Sequence, residues 1–146
     1  MPMFALRDAT IEDAAALVPL LDTLGYGANA ATIAERLGQL LANDSTGRVL
    51  VADAGDCLLG VAVLHCTPAL HRATPVGRIT AIAVLPSAQT HGVGRRLVDA
   101  AEDYFRGLGL ARIEVTSGPT YAGAHSFYRR LGYADQGVRF AKDLHE

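Results

Sequence analysis

A strand-like run, a loop with two glycines one residue apart and an amphipathic helical run follow one another directly in this chain. Few folds accommodate that junction. The strand-like run is Ile79 to Leu85, and Pro86 ends it. The loop is Gln89-Thr90-His91-Gly92-Val93-Gly94-Arg95-Arg96, and the helical run extends from Leu97 to Leu108. Glycines at such a junction let a ligand approach the backbone N–H groups closely. The helix start adds unpaired donors and the positive end of a dipole. The combination suits a phosphate, and a pyrophosphate fits it well.

Two familiar phosphate loops fail on the residues present. A P-loop needs a Gly-Lys pair, which this chain lacks. A dinucleotide fingerprint needs a third glycine, and Leu97 stands where it belongs. A bare pair of glycines can also serve a turn and nothing more. A nucleotide-binding fold that uses this loop therefore stays open as a weaker reading.

The rest of the chain sets bounds. With 146 residues, half of them hydrophobic, 19% charged and a net charge of -2, it has the makings of one packed domain spanning residues 1–146. Scattered Lys and Arg argue against nucleic-acid or anionic-membrane partners. No apolar run approaches the roughly 18 residues of a membrane span, and no signal-peptide pattern opens the chain. Cys57 and Cys66 lack metal-ligand spacing, so no metal site is expected. Reduced thiols in a cytoplasmic protein are the simplest reading.

Periodicity and turn residues divide the chain further. A short strand at 4–7 precedes a helix capped by Thr10 and running to about Leu24. Gly25-Tyr26-Gly27 breaks it, and Asn29 caps a second helix to about Ala42. Strands follow at 48–53 and 58–65, then a proline-containing loop from Cys66 to Val76. A strand at 78–85, the glycine loop and its helix come next, then a strand at 112–116. Ser117-Gly118-Pro119 turns the chain into a helix at 122–131 closed by Gly132. A terminal strand pair is expected at 133–135 and 138–144. The order β-α-α-β-β-β-α-β-α-β-β gives a three-layer α/β or α+β fold.

The loop pattern Q-x-x-G-x-G after a strand resembles the acyl-CoA pyrophosphate loop of the GNAT superfamily of N-acetyltransferases. A second signature lies downstream across one strand. Ala124-His125-Ser126-Phe127-Tyr128-Arg129-Arg130-Leu131-Gly132-Tyr133 is similar to that family's A-x-x-F-Y-x-x-x-G-[FY] helix. Leu24-Gly25-Tyr26 and Arg139-Phe140-x-Lys142-x-Leu144 resemble a common bacterial branch. The resemblance covers nearly the whole chain. It implies a mixed, mostly antiparallel sheet of about seven strands, two central strands splayed, and helices on both faces.

It also implies acetyl-CoA as the donor co-substrate, no metal, and a primary amine of a small molecule or peptide as acceptor. Backbone groups of Ile82, Ala83 and Val84 would pair with the pantetheine arm as an added strand would. Gln89, Thr90, His91, Gly92, Val93, Gly94, Arg95 and Arg96 would hold the pyrophosphate. Tyr121, where relatives often place Asn or Arg, and His125 would also line the CoA site. Tyr128 would be the general acid that protonates the leaving thiolate, since a phenol is protonated at neutral pH. A backbone N–H near Val84 would face the developing oxyanion.

The base is less defined. Thr80, Ala81 and Ile82 stand where many relatives carry a carboxylate, so Glu114 on the next strand, an ordered water, His65 or His71 would take the amine's proton, or the amine would arrive neutral. Tyr26, His65 and His71 are acceptor-side candidates that also read as exposed or structural residues. No acidic cluster marks that side, which disfavours a polycationic acceptor. A catalytically weak acyl-CoA-binding regulatory domain is the alternative reading. The terminal strands and the resemblance allow a homodimer.

Overall fold

The short first strand is the edge on which the sheet is built. In the computed structural model, which describes residues 3–42, 47–116, 122–137 and 139–145, it runs over Ala5–Asp8 as β1. The chain divides into two units, Met1–Thr116 and Ser117–Glu146. The first holds α1 (Ala14–Thr23), α2 (Ala30–Leu41), β2 (Gly47–Asp53), β3 (Leu58–Thr67), β4 (Val76–Val84), α3 (Val93–Gly107) and β5 (Ile113–Val115). The second holds α4 (Ala122–Arg130).

Local chemistry explains the helix boundaries. Asn29 accepts a hydrogen bond from Thr32 N–H at 2.8 Å and so caps α2. Gly25, at φ +83°, lets the chain leave α1 in the left-handed conformation. Before α1, a short 3-10 turn brings Asp13 back to accept from Thr10 N–H at 2.8 Å. The same carboxylate receives two bonds from Arg7, each 2.8 Å, and Asp53 takes a third from Arg7 at 2.9 Å. This cluster ties the start of α1 to β1 and β2.

The sheet order is β1-β2-β3-β4-β5. Neighbours are antiparallel through β4, and β5 runs parallel to β4. The sheet is thus mixed and mostly antiparallel. One face carries α1 and α2, where Leu17, Leu20, Ile33 and Leu37 pack on Val49, Val51, Val61 and Ala83. The other face carries α3. The approach there is close enough to require glycine. A Cβ on Gly60 would lie 2.8 Å from Val93 Cγ1, and one on Gly77 would lie 2.6 Å from Phe105 Cγ. Phe105, Leu97, Val93 and Val98 are fully buried beneath α3.

The sheet has five strands, not about seven. The expected terminal pair does not form among the described residues: 133–137 and 139–145 carry no strand. Gly137 takes φ +100°, and Phe140 and Leu144 are almost wholly exposed, so no apolar face is buried there to fix a register. Val138 lies outside the described residues, as does the turn Ser117-Gly118-Pro119. Among the described residues no helix is long and apolar enough to cross a membrane, and no group of His, Cys, Asp and Glu could hold a metal ion.

Candidate functional site: a strand fork and a helix start

Two irregularities in β4 build the candidate site. The first is a bulge. Leu64 pairs with Ile79 and Val63 with Ala81, so Thr80 is one residue extra. Its hydroxyl donates to Val63 O at 3.4 Å. The second is an early end to pairing on the other side. β5 pairs with β4 only at Gly77, Arg78 and Ile79. Among the described residues the two strands do not pair beyond Ile79, and Thr80 to Val84 form one arm of a fork.

The backbone of that arm is oriented. Leu85 N–H donates to Leu59 O at 2.9 Å, toward β3. Alternation then turns Ala83 toward β3, and turns the N–H and C=O groups of Ile82 and Val84 away from it. The Val84 carbonyl accepts from Gln89 Nε2 at 3.2 Å, which agrees with that direction. Ile82 and Val84 can therefore offer backbone donors to an added extended chain. Ala83 instead buries its side chain in the helical core.

The fork leads directly to the glycine loop. Pro86 to Ala88 make one 3-10 turn, and His91 N–H closes back on Ala88 O at 3.1 Å. Gly92 is the N-cap of α3 at φ +78° and ψ 9°. A residue with a Cβ is strained there, so glycine is needed for the turn. Arg96 N–H makes the first bond of the helix, to Gly92 O at 3.1 Å. Gly92 has no side chain to cap the N–H groups of Val93, Gly94 and Arg95. These donors sit at the positive end of a 15-residue helix. Thr90 and Gln89 are exposed beside them, and His91 Nδ1 is buried without a hydrogen-bond partner. A cradle of free donors with an uncompensated polar atom fits a bound pyrophosphate group.

The loop's arginines are partly committed elsewhere. Arg96 lies over the Phe4 ring at 4.7 Å, and Arg95 sits 3.9 Å from Asp99 one turn along the helix. The backbone therefore supplies most of the anion-binding capacity here.

At the foot of the fork, β3, β4 and β5 place His65, Arg78 and Glu114 in one cross-strand row. Glu114 accepts from Arg112 Nε at 2.9 Å and lies 3.9 Å from Arg78. The Arg112 hydrogen bond, above all, holds its carboxyl below the usual range. That makes Glu114 a weak proton acceptor. His71 is exposed in the 68–75 loop, and Tyr26 is 68% exposed between α1 and α2. Alternation in the sequence reaches Glu114 but misses Arg78 and Thr80, because the bulge that sets their directions leaves no sequence mark. Cys57 and Cys66 are both free.

The second unit carries Tyr128 in α4, buried, with its ring edge-on to Phe127 and Tyr133 at 5.3 and 6.0 Å. Burial pushes its phenol up to about 12, so it stays protonated throughout the neutral range. His125 is half-buried three residues earlier. Gly132, at φ +94°, closes the helix, and Tyr133 N–H returns to Tyr128 O at 3.0 Å. Tyr121 lies outside the described residues.

The chain is similar to proteins of known kind. Residues 20–133 match the model of the acetyltransferase (GNAT) family. The chain is 29% identical over 145 residues to an aminoalkylphosphonate N-acetyltransferase of Salmonella typhimurium, covering 99% of this chain and 94% of that one. It superposes on a GNAT family acetyltransferase of Staphylococcus aureus with a TM-score of 0.82 at 22% identity, covering 97% and 98% of the two chains. It also superposes on an aminoglycoside N-acetyltransferase in complex with CoA, with a TM-score of 0.84 at 18% identity, covering 97% and 95%. The fork, the glycine loop and the match across 20–133 agree: this chain is an acetyltransferase of the GNAT family.

Proposed function

We propose that the chain transfers an acetyl group from acetyl-CoA to a primary amine of a small-molecule or peptide acceptor, in a ternary complex with Tyr128 as general acid. The observation that carries this reading is the β4 arm, whose Ile82 and Val84 backbone groups point away from β3, unpaired among the described residues, directly before the uncapped start of α3. The family uses acetyl-CoA, and the residues present fit it. The loop from Gln89 to Arg95 would hold the pyrophosphate, and Ile82 and Val84 would pair with the pantetheine arm. Bound there, acetyl-CoA supplies an activated thioester, whose transfer to an amine forms an amide and releases a thiol.

The chain's own groups have three tasks in this reading. Val84 N–H is a fixed donor for the reacting carbonyl oxygen. Tyr128 Oη keeps its proton until the sulfur leaves, and burial maintains that state. With Glu114 engaged by Arg112, an ordered water takes the amine's proton. The relative named for aminoalkylphosphonates supports an amine acceptor. The match over 20–133 crosses from the first unit into the second and supports one catalytic domain over 1–146. Two free cysteines agree with a reducing, cytoplasmic setting, and we extend the proposal to a bacterial protein that can form a homodimer.

The absence of a carboxylate at Thr80, Ala81 and Ile82 favours a second reading, a catalytically weak acyl-CoA-binding regulatory domain. Tyr128→Phe separates the two. The catalytic reading predicts that kcat for thiol release falls by about 100-fold or more while acetyl-CoA binding persists. Binding without turnover by the unaltered protein, on polyamines, amino acids, aminophosphonates, aminoglycosides and peptide N-termini, would establish the regulatory reading instead.

A further inference from the structure

The β4 arm does not offer every group that points away from β3. Among the described residues no bond is made on that side by Ile82 N–H, Ile82 C=O or Val84 N–H, whereas Val84 C=O is occupied by Gln89. The cause is local. Pro86 opens a single 3-10 turn, with Ala88 N–H on Leu85 O at 2.8 Å. Gln89 ends that turn in helical backbone geometry, φ -64° and ψ -23°, so the chain folds back on the strand it has just left. The Gln89 side chain then lies against the end of β4, and its Nε2 donates to Val84 O at 3.2 Å.

Side-chain length decides this contact. Asparagine, one methylene shorter, would leave the amide about 1.5 Å short, and a donor that far away no longer bonds. The bond adds little to stability, because Gln89 is exposed and water competes for both groups. What it changes is the set of groups open to a ligand. With Val84 O covered, the arm ends toward α3 in a donor, Val84 N–H. One acceptor, Ile82 O, remains between Ile82 and Val84.

An extended chain added to a strand pairs through N–H and C=O groups in turn. Where no buried face holds such a chain, it slips along the ladder. A slip toward α3 would bring a ligand N–H onto Val84 O, and Gln89 fills that place. We infer that Gln89 is a positioning residue, a stop that sets the register of the pantetheine arm on Ile82 and Val84 and so fixes where the thioester halts. This rests on the acetyl-transfer reading above and deepens it: the Gln89 side chain aligns the donor, apart from any anion contact made by its backbone.

Four substitutions test the stop. Gln89→Leu, Gln89→Asn and Gln89→Glu remove the donor at Val84 O, and Gln89→Arg, which is longer and carries N–H donors, keeps it. Each correctly folded protein is measured in three ways: CoA affinity by calorimetry, kcat for thiol release from acetyl-CoA, and the backbone amide resonances of Ile82 and Val84 with saturating CoA. The loop's donors are backbone groups, so CoA affinity should stay within about threefold throughout. In the three donor-free variants kcat should fall about tenfold or more, and in Gln89→Arg about twofold or less. The CoA-bound Ile82 and Val84 resonances should shift or double in the donor-free variants and match the unaltered protein in Gln89→Arg. Unchanged kcat and resonances in Gln89→Leu and Gln89→Asn, an equal loss in Gln89→Arg, or affinity lost in step with kcat would overturn the stop. Should the unaltered protein acetylate no amine, the acetyl-transfer reading fails separately, and the resonances decide alone. A change in Gln89→Leu and Gln89→Asn that Gln89→Arg lacks supports the stop, and the same CoA-bound resonances in all the proteins overturn it.

Discussion

Replacing Gly77 with alanine tests whether the seating of α3 on β4 is as tight as the structure shows. The added Cβ would lie 2.6 Å from Phe105 Cγ and 2.7 Å from Cδ2. Ordinary carbon contacts are about 3.5–4.0 Å, so ring or strand must move by roughly 1 Å. Phe105 is only 1% exposed, so neither side has free space. Overpacking of this kind costs about 1–3 kcal/mol. At roughly 2–4 °C per kcal/mol for a chain near 150 residues, Tm should fall by about 4–8 °C for a cost near 2 kcal/mol. Phe105→Leu alone, which removes ring atoms from a full core, should cost about 1–2 kcal/mol. Combined, the two changes relieve one another, because leucine vacates part of the space the new methyl needs. Thermal and urea unfolding of the four proteins should give a favourable coupling of about 1 kcal/mol. Additive effects within about 0.4 kcal/mol, or a neutral Gly77→Ala, would refute the contact argument.

Other consequences are as concrete. Gly92→Ala meets open space but forces a Cβ into φ +78°, so unfolding stability should drop by about 1 kcal/mol. Calorimetry should also show CoA affinity about tenfold weaker, since a relaxed N-cap no longer presents the Val93 to Arg95 donors; unchanged affinity would count against the loop's role. Asp13→Asn removes a carboxylate that accepts three hydrogen bonds, two of them from Arg7, and should cost about 1.5–3 kcal/mol at pH 7. Arg7 holds the Asp13 carboxyl below its ordinary value, so its stabilisation is complete above about pH 4 and is lost as the pH falls through the folded value. Chemical denaturation from pH 7 to pH 3 should therefore show the gap between the two proteins closing only at the acid end.

How much of this was readable in the residues depended on whether a feature was local. The Asn29 cap, the break at Gly25 and the junction at Gly92 are decided within a few residues, and the chain shows them directly. Strand order through β4 followed from the spacing of apolar runs. The fork did not, because it arises where β5 stops pairing at Val115, a long-range event. The bulge at Thr80 reverses side-chain alternation along β4, so the row of His65, Arg78 and Glu114 could not be assembled from periodicity. Composition did not reveal Arg96 turning onto Phe4, a contact between distant segments. The two segments expected as a terminal strand pair do not form strands among the described residues, because pairing requires a buried face, and Phe140 and Leu144 have none.

In the acetyl-transfer reading, an acyl-CoA lies along the β4 arm and ends on the start of α3. Backbone hydrogen exchange, residue by residue, with and without CoA, reads out that placement. The fork predicts new protection at the Ile82 and Val84 amides and at Gly92 through Arg95, with Ala83 little altered because its N–H already points to β3. Saturating CoA that leaves those amides unprotected, or protects a different surface, would contradict the claim.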